Sequence, residues 1–177
     1  IAKKVSEEKQ VEQVRDSILK MGKGLTPSHI IAGLSFGFWT HLLTHHYEDE
    51  HSKTLLWPHL LSSVFPHAPH GHDRNAICDA FIRIRELRNR LSHHEAIWKF
   101  HYDNPVTRKP DYRHPVYGAR ASCNLLRKHY DDILAMIGWM SPERVINFTH
   151  HGAHLHFYAL CSIEGLEAYV CAKMIRH

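Results

Sequence analysis

The sequence predicts an all-α protein, a bundle of about five to seven helices. Three observations carry that prediction. Apolar residues recur three or four apart through most of the chain, as at Val11, Val14, Ile18 and Met21. No segment alternates convincingly between apolar and polar with period two, so no strand is expected. Helix start and stop signals, a Thr-Pro, an Asp, a Ser-Pro-Glu and several glycines, punctuate the apolar runs at helical spacing.

Taken in order, a first helix is expected from Ser6 to Met21, ended by Gly22 and Gly24. Thr26-Pro27 reads as an N-cap followed by proline at the first helical position. The apolar segment from Pro27 to about His46 contains Gly33 and Gly37 four apart, on one face of a helix. They would allow a close helix crossing, or are merely tolerated in a buried helix. A short helix is expected over Lys53–Val64, with Trp57, Leu60 and Leu61 inward. Residues 65–72, FPHAPHGH, form a loop punctuated by Pro66, Pro69 and Gly71. Asp73 caps a long helix running to about Phe100. Residues 102–117, with three prolines, are a second loop. Helix returns over Gly118–Gly138, restarts at Ser141-Pro142-Glu143, breaks over Thr149–Gly152, and ends with a final helix over Ala153–Ile175. There are no internal repeats, and the whole of 1–177 reads as a single domain.

Composition narrows the classes. The chain has 177 residues, 44% hydrophobic and 23% charged, which excludes disordered and fibrous proteins. A domain of this size buries roughly 70% of the surface its unfolded chain exposes, so no staple is needed. No run approaches 18 apolar residues, so no spanning helix and no membrane role is expected. The start, IAKKVSEEKQ, is no signal region and lacks Met; the chain is expected to be cut from a longer protein. Cys78, Cys123, Cys161 and Cys171 form no CxxC pair, which argues against a zinc ribbon or disulfide framework and for a reducing cytoplasm. Nineteen histidines are the compositional anomaly. Net charge is +4 with all of them neutral and would rise to about +23 if every one protonated. The pI of about 8.9 permits a polyanionic partner.

The informative stretch is IRIRELRNRLSHHEAIW, residues 82–98. On a continuous helix, Ile77, Phe81, Ile84, Leu91 and Trp98 fall within about 60° of one direction, the core stripe. Arg88 lies within about 40° of it, a costly place for a guanidinium without partners or a wet cleft. A structural Arg88–Glu95 pair two turns on would explain it. Asn89 and His93 share the opposite face with Ile82, and an apolar residue there suggests a second contact such as a subunit interface.

Arg88-Asn89-x-x-x-His93 resembles the R-N-x-x-x-H motif of HEPN-domain ribonucleases, and LRNRLSHHE resembles the Abi-like (abortive infection) branch of that superfamily. LSFGFW, Trp57 and Phe65-Pro66 lie upstream in the expected order, so the resemblance spans roughly residues 25–100. Residues beyond it carry no signature. The resemblance implies a further helix before residue 1 and often proline where Ala96 stands; alanine there extends the helix. It implies a HEPN-like helical bundle, homodimeric, with two R-x4-H motifs facing each other in one composite site. It also implies a metal-independent endoribonuclease in antiphage or toxin-like defence, needing no cofactor.

The chemistry suits those residues. RNA carries its own nucleophile, the 2′-OH. Cleavage needs a base for that hydroxyl, charge stabilisation on the phosphorane and an acid for the 5′ oxygen. Histidine serves as base and acid near neutral pH, and arginine offers a planar fork to phosphate. His93 is assigned to proton transfer, Arg88 to phosphate and transition-state charge, and Asn89 to orientation, with His94 and Glu95 auxiliary. Products would be a 2′,3′-cyclic phosphate and a 5′-OH. Arg88 and His93 stand about 140° apart on an ideal helix, so one face does not present both; the long arginine stem could reach round, or the site could draw Arg88 from one subunit and His93 from the other, and a two-fold dimer makes both possible.

Arg83, Arg85, Arg88 and Arg90 are locally dense, and Arg108, Lys109 and Arg113 stand beside Tyr102, Tyr112 and Tyr117. Basic side chains interleaved with tyrosines suit unpaired RNA; a solvated loop anchored by tyrosines is the plain alternative. The histidine clusters 45/46/51, 67/70/72 and 150/151/154/156 contain an i, i+4 pair, His150 and His154, but no HExxH, and no metal site is expected. Other readings are a cleavage-silent HEPN module binding RNA or protein, and a histidine-rich metal-binding protein. An antitoxin or sensor could restrain the enzyme, but no residue identifies one.

Overall fold

Nine α-helices and a single 3-10 turn (His45–Tyr47) account for the regular structure among the described residues, and no strand occurs there. The helices are α1 (Ala2–Lys20), α2 (Pro27–Gly33), α3 (Phe36–Leu42), α4 (Leu61–Val64), α5 (Arg74–Ser92), α6 (Gly118–Met140), α7 (Pro142–His150), α8 (Ala153–Leu160) and α9 (Ile163–Met174). The computed structural model describes the chain apart from residues 1, 50, 52, 53, 98–100, 102, 103, 105, 106, 108–110, 112, 115 and 175–177, and apart from the side chains of 2–6.

The protein is therefore all-α, with more and shorter helices than the five to seven expected. α1 ends as its glycines predict. Gly22 adopts φ +68°, Lys23 N donates to Ile18 O at 3.1 Å and Gly22 N to Leu19 O at 2.9 Å. A left-handed residue there satisfies two carbonyls that the helix end would otherwise leave bare. Thr26 caps α2, its hydroxyl accepting from His29 N at 3.2 Å.

The expected single helix from Pro27 to His46 is two. Ser35 takes an extended conformation and accepts from Phe38 N at 3.1 Å, so it starts α3 afresh. Serine competes for backbone donors and is better placed at a cap than inside a helix. Gly33 and Gly37 thus do not share a helix face. Gly33 alone makes the close crossing: a Cβ there would sit 2.5 Å from Val14 Cγ1 of α1. The helix expected over Lys53–Val64 shrinks to the single turn of α4, and Leu60 faces outward while Trp57 is buried.

The core gathers Leu43, Trp57, Phe65, Ile77, Cys78, Ala80, Phe81 and Met136. α5 runs between α3 and α6 and supplies half of these residues. Asp73 caps it, accepting from Ala76 N at 2.8 Å. Arg74 follows as a buried cation whose needs are met: it pairs with Glu48 at 2.9 Å and donates to Leu43 O at 2.8 Å and Asn75 Oδ1 at 2.6 Å. Removing Glu48 would leave that charge buried and unpaired. Of the expected core stripe, Ile77 and Phe81 are buried and Ile84 packs against the core, but Leu91 is exposed and Trp98 lies outside the described residues. Ile82, expected on an outward face, packs against the core instead.

The final helix expected over Ala153–Ile175 breaks at Cys161-Ser162. Ser162 Oγ accepts from Gly165 N at 2.9 Å and starts α9. Cys161 is buried, its thiol reaching Cys123 O at 3.4 Å and tying the break to α6; burial pushes that thiol's pKa up. All four cysteines are free.

Candidate functional site at the end of helix α5

α5 was expected to continue to about Phe100. It stops at Ser92, one residue before the motif histidine. His93 is the C-cap (φ −93°, ψ 10°), its N–H shared between Asn89 O at 3.0 Å and Arg90 O at 3.1 Å. His94 then turns left-handed at φ +57°. Its N–H donates to Leu91 O at 3.1 Å, and Glu95 N donates to Arg90 O at 2.9 Å. This is the hydrogen-bond pattern of a glycine-type helix end built with a histidine, so no glycine signal marked it. Ser92 Oγ loosens the last turn further by donating to Arg88 O at 2.9 Å. Ala96, expected to extend the helix, lies beyond its end.

The side chains of Arg88, Asn89, His93, His94 and Glu95 are all exposed. The expected Arg88–Glu95 pair does not form. Glu95 pairs with Arg90 instead, Nη1 to Oε2 at 3.5 Å, because the chain reverses after His94 and brings Glu95 back over Arg90. The Arg88 guanidinium makes no hydrogen bond or ion pair among the described residues.

The wider basic set is divided. Arg85 is half-buried and donates to Thr40 Oγ1 of α3 at 3.1 Å, so one of its donors is used inside the fold. Arg113 is exposed, and its backbone N–H donates to Asp111 Oδ1 at 3.0 Å. The neighbouring His114 ring and that backbone bond hold the Asp111 carboxyl below the usual range. Arg108, Lys109, Tyr102 and Tyr112 lie outside the described residues. Tyr117, at the start of α6, is exposed.

Two polar clusters are not evident from the sequence. Tyr130 of α6 stacks on Phe157 of α8 at 4.1 Å, and its hydroxyl meets His154 Nδ1 at 3.2 Å. Tyr158 donates to Asp131, which, with burial, pushes its pKa up to about 12. Arg127 donates to Tyr158 O at 3.0 Å. The available signal was the i, i+3, i+4 spacing of Arg127, Tyr130 and Asp131; nothing in it names α8 as partner. The second cluster joins α1 to the segment after α3: Glu7 accepts from Tyr47 and pairs with His41 Nε2 at 2.7 Å. Burial, then the Glu7 carboxylate, pushes Tyr47 up to about 12.

His150 and His154 fall on different helices, α7 and α8, and His154 is engaged with Tyr130. No group of three or more His, Cys, Asp or Glu side chains is placed to hold a metal ion among the described residues. No described helix is long and apolar enough to cross a membrane. A groove of about 410 Å³ runs along α1, lined by Glu7, Glu8, Val11, Glu12 and Arg15, none of them a motif residue.

No family model matches the chain, and no curated protein or solved structure matches it significantly.

Proposed function

We propose that the chain is a metal-independent endoribonuclease of HEPN type, homodimeric, acting in antiphage or toxin-like defence. One observation carries the reading: Arg88, Asn89 and His93 stand exposed at the C-terminal end of α5, and Glu95, which would have explained Arg88 structurally, is paired with Arg90. An arginine, an amide and an imidazole with no described structural employment are the groups that 2′-OH transesterification needs. His93 takes the 2′-OH proton, and Arg88 binds the phosphate and meets the charge that builds on it. Asn89 donates to phosphate or orients the imidazole. A single histidine cannot be base and acid in the same event, so a second copy supplies the other across a two-fold axis.

A second reading is favoured by the motif's full exposure, which gives a single chain no walls around the reacting atoms. On that reading the protein is a cleavage-silent module that binds RNA or another protein. The test is incubation of a mixed RNA pool in EDTA with wild type and His93→Ala, followed by analysis of the ends. Cyclic phosphate and 5′-OH ends from wild type, lost in His93→Ala, are expected. RNA binding without cleavage would favour the silent module, and activity lost on chelation would overturn both readings.

A further inference from the structure

Two cysteines that are distant in the chain meet in the fold. Cys123 lies near the start of α6, Cys161 at the joint between α8 and α9, and both are buried and free. Cys161 Sγ reaches Cys123 O at 3.4 Å, and the two thiols also meet side chain to side chain. The other two cysteines stand elsewhere. Cys78 is buried in the core, near Arg74, Asp79 and Arg85, and Cys171 is exposed on α9.

Arg127, one turn along α6 from Cys123, completes the cluster. Its Nη2 donates to Tyr158 O at 3.0 Å, and its guanidinium carbon lies 5.4 Å from the centre of the Tyr158 ring. The guanidinium is also within reach of the Cys161 thiol. Its Nε is buried and has no hydrogen-bond partner among the described residues. A buried donor left without an acceptor is costly. A neutral thiol is a weak acceptor, whereas a thiolate or sulfenate is an anion that a guanidinium grips well. Arg127 thus keeps an unused donor close to a sulfur that becomes anionic along the path of oxidation. Burial, and after it the Cys123 thiol, push the Cys161 pKa up, and Arg127 works against them. Thiolate is therefore scarce and oxidation slow, while a disulfide formed at this buried place would be shielded from reductant.

We infer that Cys123 and Cys161 are a peroxide-oxidisable pair that closes into a disulfide, pinning the α8–α9 joint to α6, with Arg127 holding the anionic forms of Cys161. The Cys161 thiolate attacks one oxygen of a hydroperoxide. An S–O bond forms, the O–O bond breaks, and the other oxygen leaves as alcohol or water, taking the proton that the thiol gave up. The Cys123 thiol then attacks the sulfenic sulfur. The S–S bond forms, the S–O bond breaks, and the hydroxyl leaves as water with the Cys123 proton. Two thiols lose two electrons, and one hydroperoxide gains them. The bond closes a loop of roughly 40 residues, which restricts the unfolded chain and stabilises the fold. The inference rests on these side chains and not on the ribonuclease reading.

The test uses the full chain carrying Cys171→Ser, which removes the exposed thiol and with it cross-links between copies. The protein is treated with excess hydrogen peroxide, unfolded, alkylated and mapped by non-reducing peptide mass spectrometry. A linked Cys123–Cys161 peptide is expected, with Cys78 still alkylated. The melting temperature is expected to rise by roughly 5–15 °C and to return on adding dithiothreitol. Cys123→Ala is expected to give no link and to hold Cys161 as a sulfenic acid that dimedone traps. Arg127→Gln is expected to slow the loss of thiols at least about tenfold; loosening of the fold would expose the thiols and speed their loss, so slowing is not a folding defect. Both thiols left free after peroxide, a link through Cys78, or Cys161 carried to sulfinate with Cys123 untouched overturns the pair. An Arg127→Gln rate equal to or above the parent's removes Arg127 from it. RNA cleavage is not read in any arm, so failure of the ribonuclease reading leaves the pair standing, and failure of the pair leaves His93 untouched.

Discussion

His93 caps α5 through its backbone, while its side chain has no partner among the described residues. His93→Ala is therefore expected to lower RNA cleavage by about 10²–10⁴-fold and to move stability by less than about 0.5 kcal/mol, read by single-turnover cleavage beside a thermal melt. Loss of cleavage accompanied by an equally large loss of stability would make the residue structural. Arg88→Lys should restore little of what Arg88→Ala loses, because an ammonium does not reproduce the two-pronged grip of a guanidinium on phosphate. His94 gives a contrasting expectation. It holds φ +57°, a conformation that disfavours a residue with a Cβ. His94→Gly should raise stability by about 0.5 kcal/mol, the relief of strain being partly offset by a freer unfolded chain. Unchanged cleavage in that variant would show that only the turn, and not the imidazole, is needed at position 94.

At the scale of elements, α5 carries both the core and the motif, so its start is the place where a small change reaches both. Asp73→Ala removes the acceptor for Ala76 N and should destabilise by about 1 kcal/mol, measured by urea denaturation. Gly165→Ala should destabilise by about 1–3 kcal/mol, since the Ala159 carbonyl must move to admit a methyl group. The caps were legible in the sequence: Thr26, Asp73 and Gly22 sit where their chemistry puts them, and α7 does restart at Ser141-Pro142, although the Ser141 hydroxyl donates to Glu143 and caps nothing. The breaks at Ser35 and Ser162 use the same chemistry, but they lie inside apolar runs whose helical period continues across them. The end of α5 was hidden for another reason: a left-handed histidine replaced the glycine that announces such a turn. The motif itself was readable as a string. Its exposure, and the diversion of Glu95 to Arg90, depended on that turn and could not be read from helical angles that assume no turn.

For the molecule as a whole, two tyrosines whose hydroxyls donate to carboxylates on other helices set its alkaline limit. Tyr47 holds α1 to the segment after α3 through Glu7, and Tyr158 holds α8 to α6 through Asp131. Both phenols are pushed from 10.0 up to about 12 in the fold, Tyr47 chiefly by burial and Tyr158 chiefly by the Asp131 carboxylate. A raised folded pKa means that the unfolded chain releases these protons first. The stabilisation is therefore complete below pH 10 and is lost as pH rises through 12. Absorbance of phenolate should show a late fraction that ionises together with loss of helix. Tyr47→Phe/Tyr158→Phe should shrink that late fraction and flatten the decline of stability between pH 10 and 12. A double variant with an unaltered alkaline transition would mean that these two hydroxyl contacts do not set the alkaline limit and that α1 and α8 are secured by their other contacts.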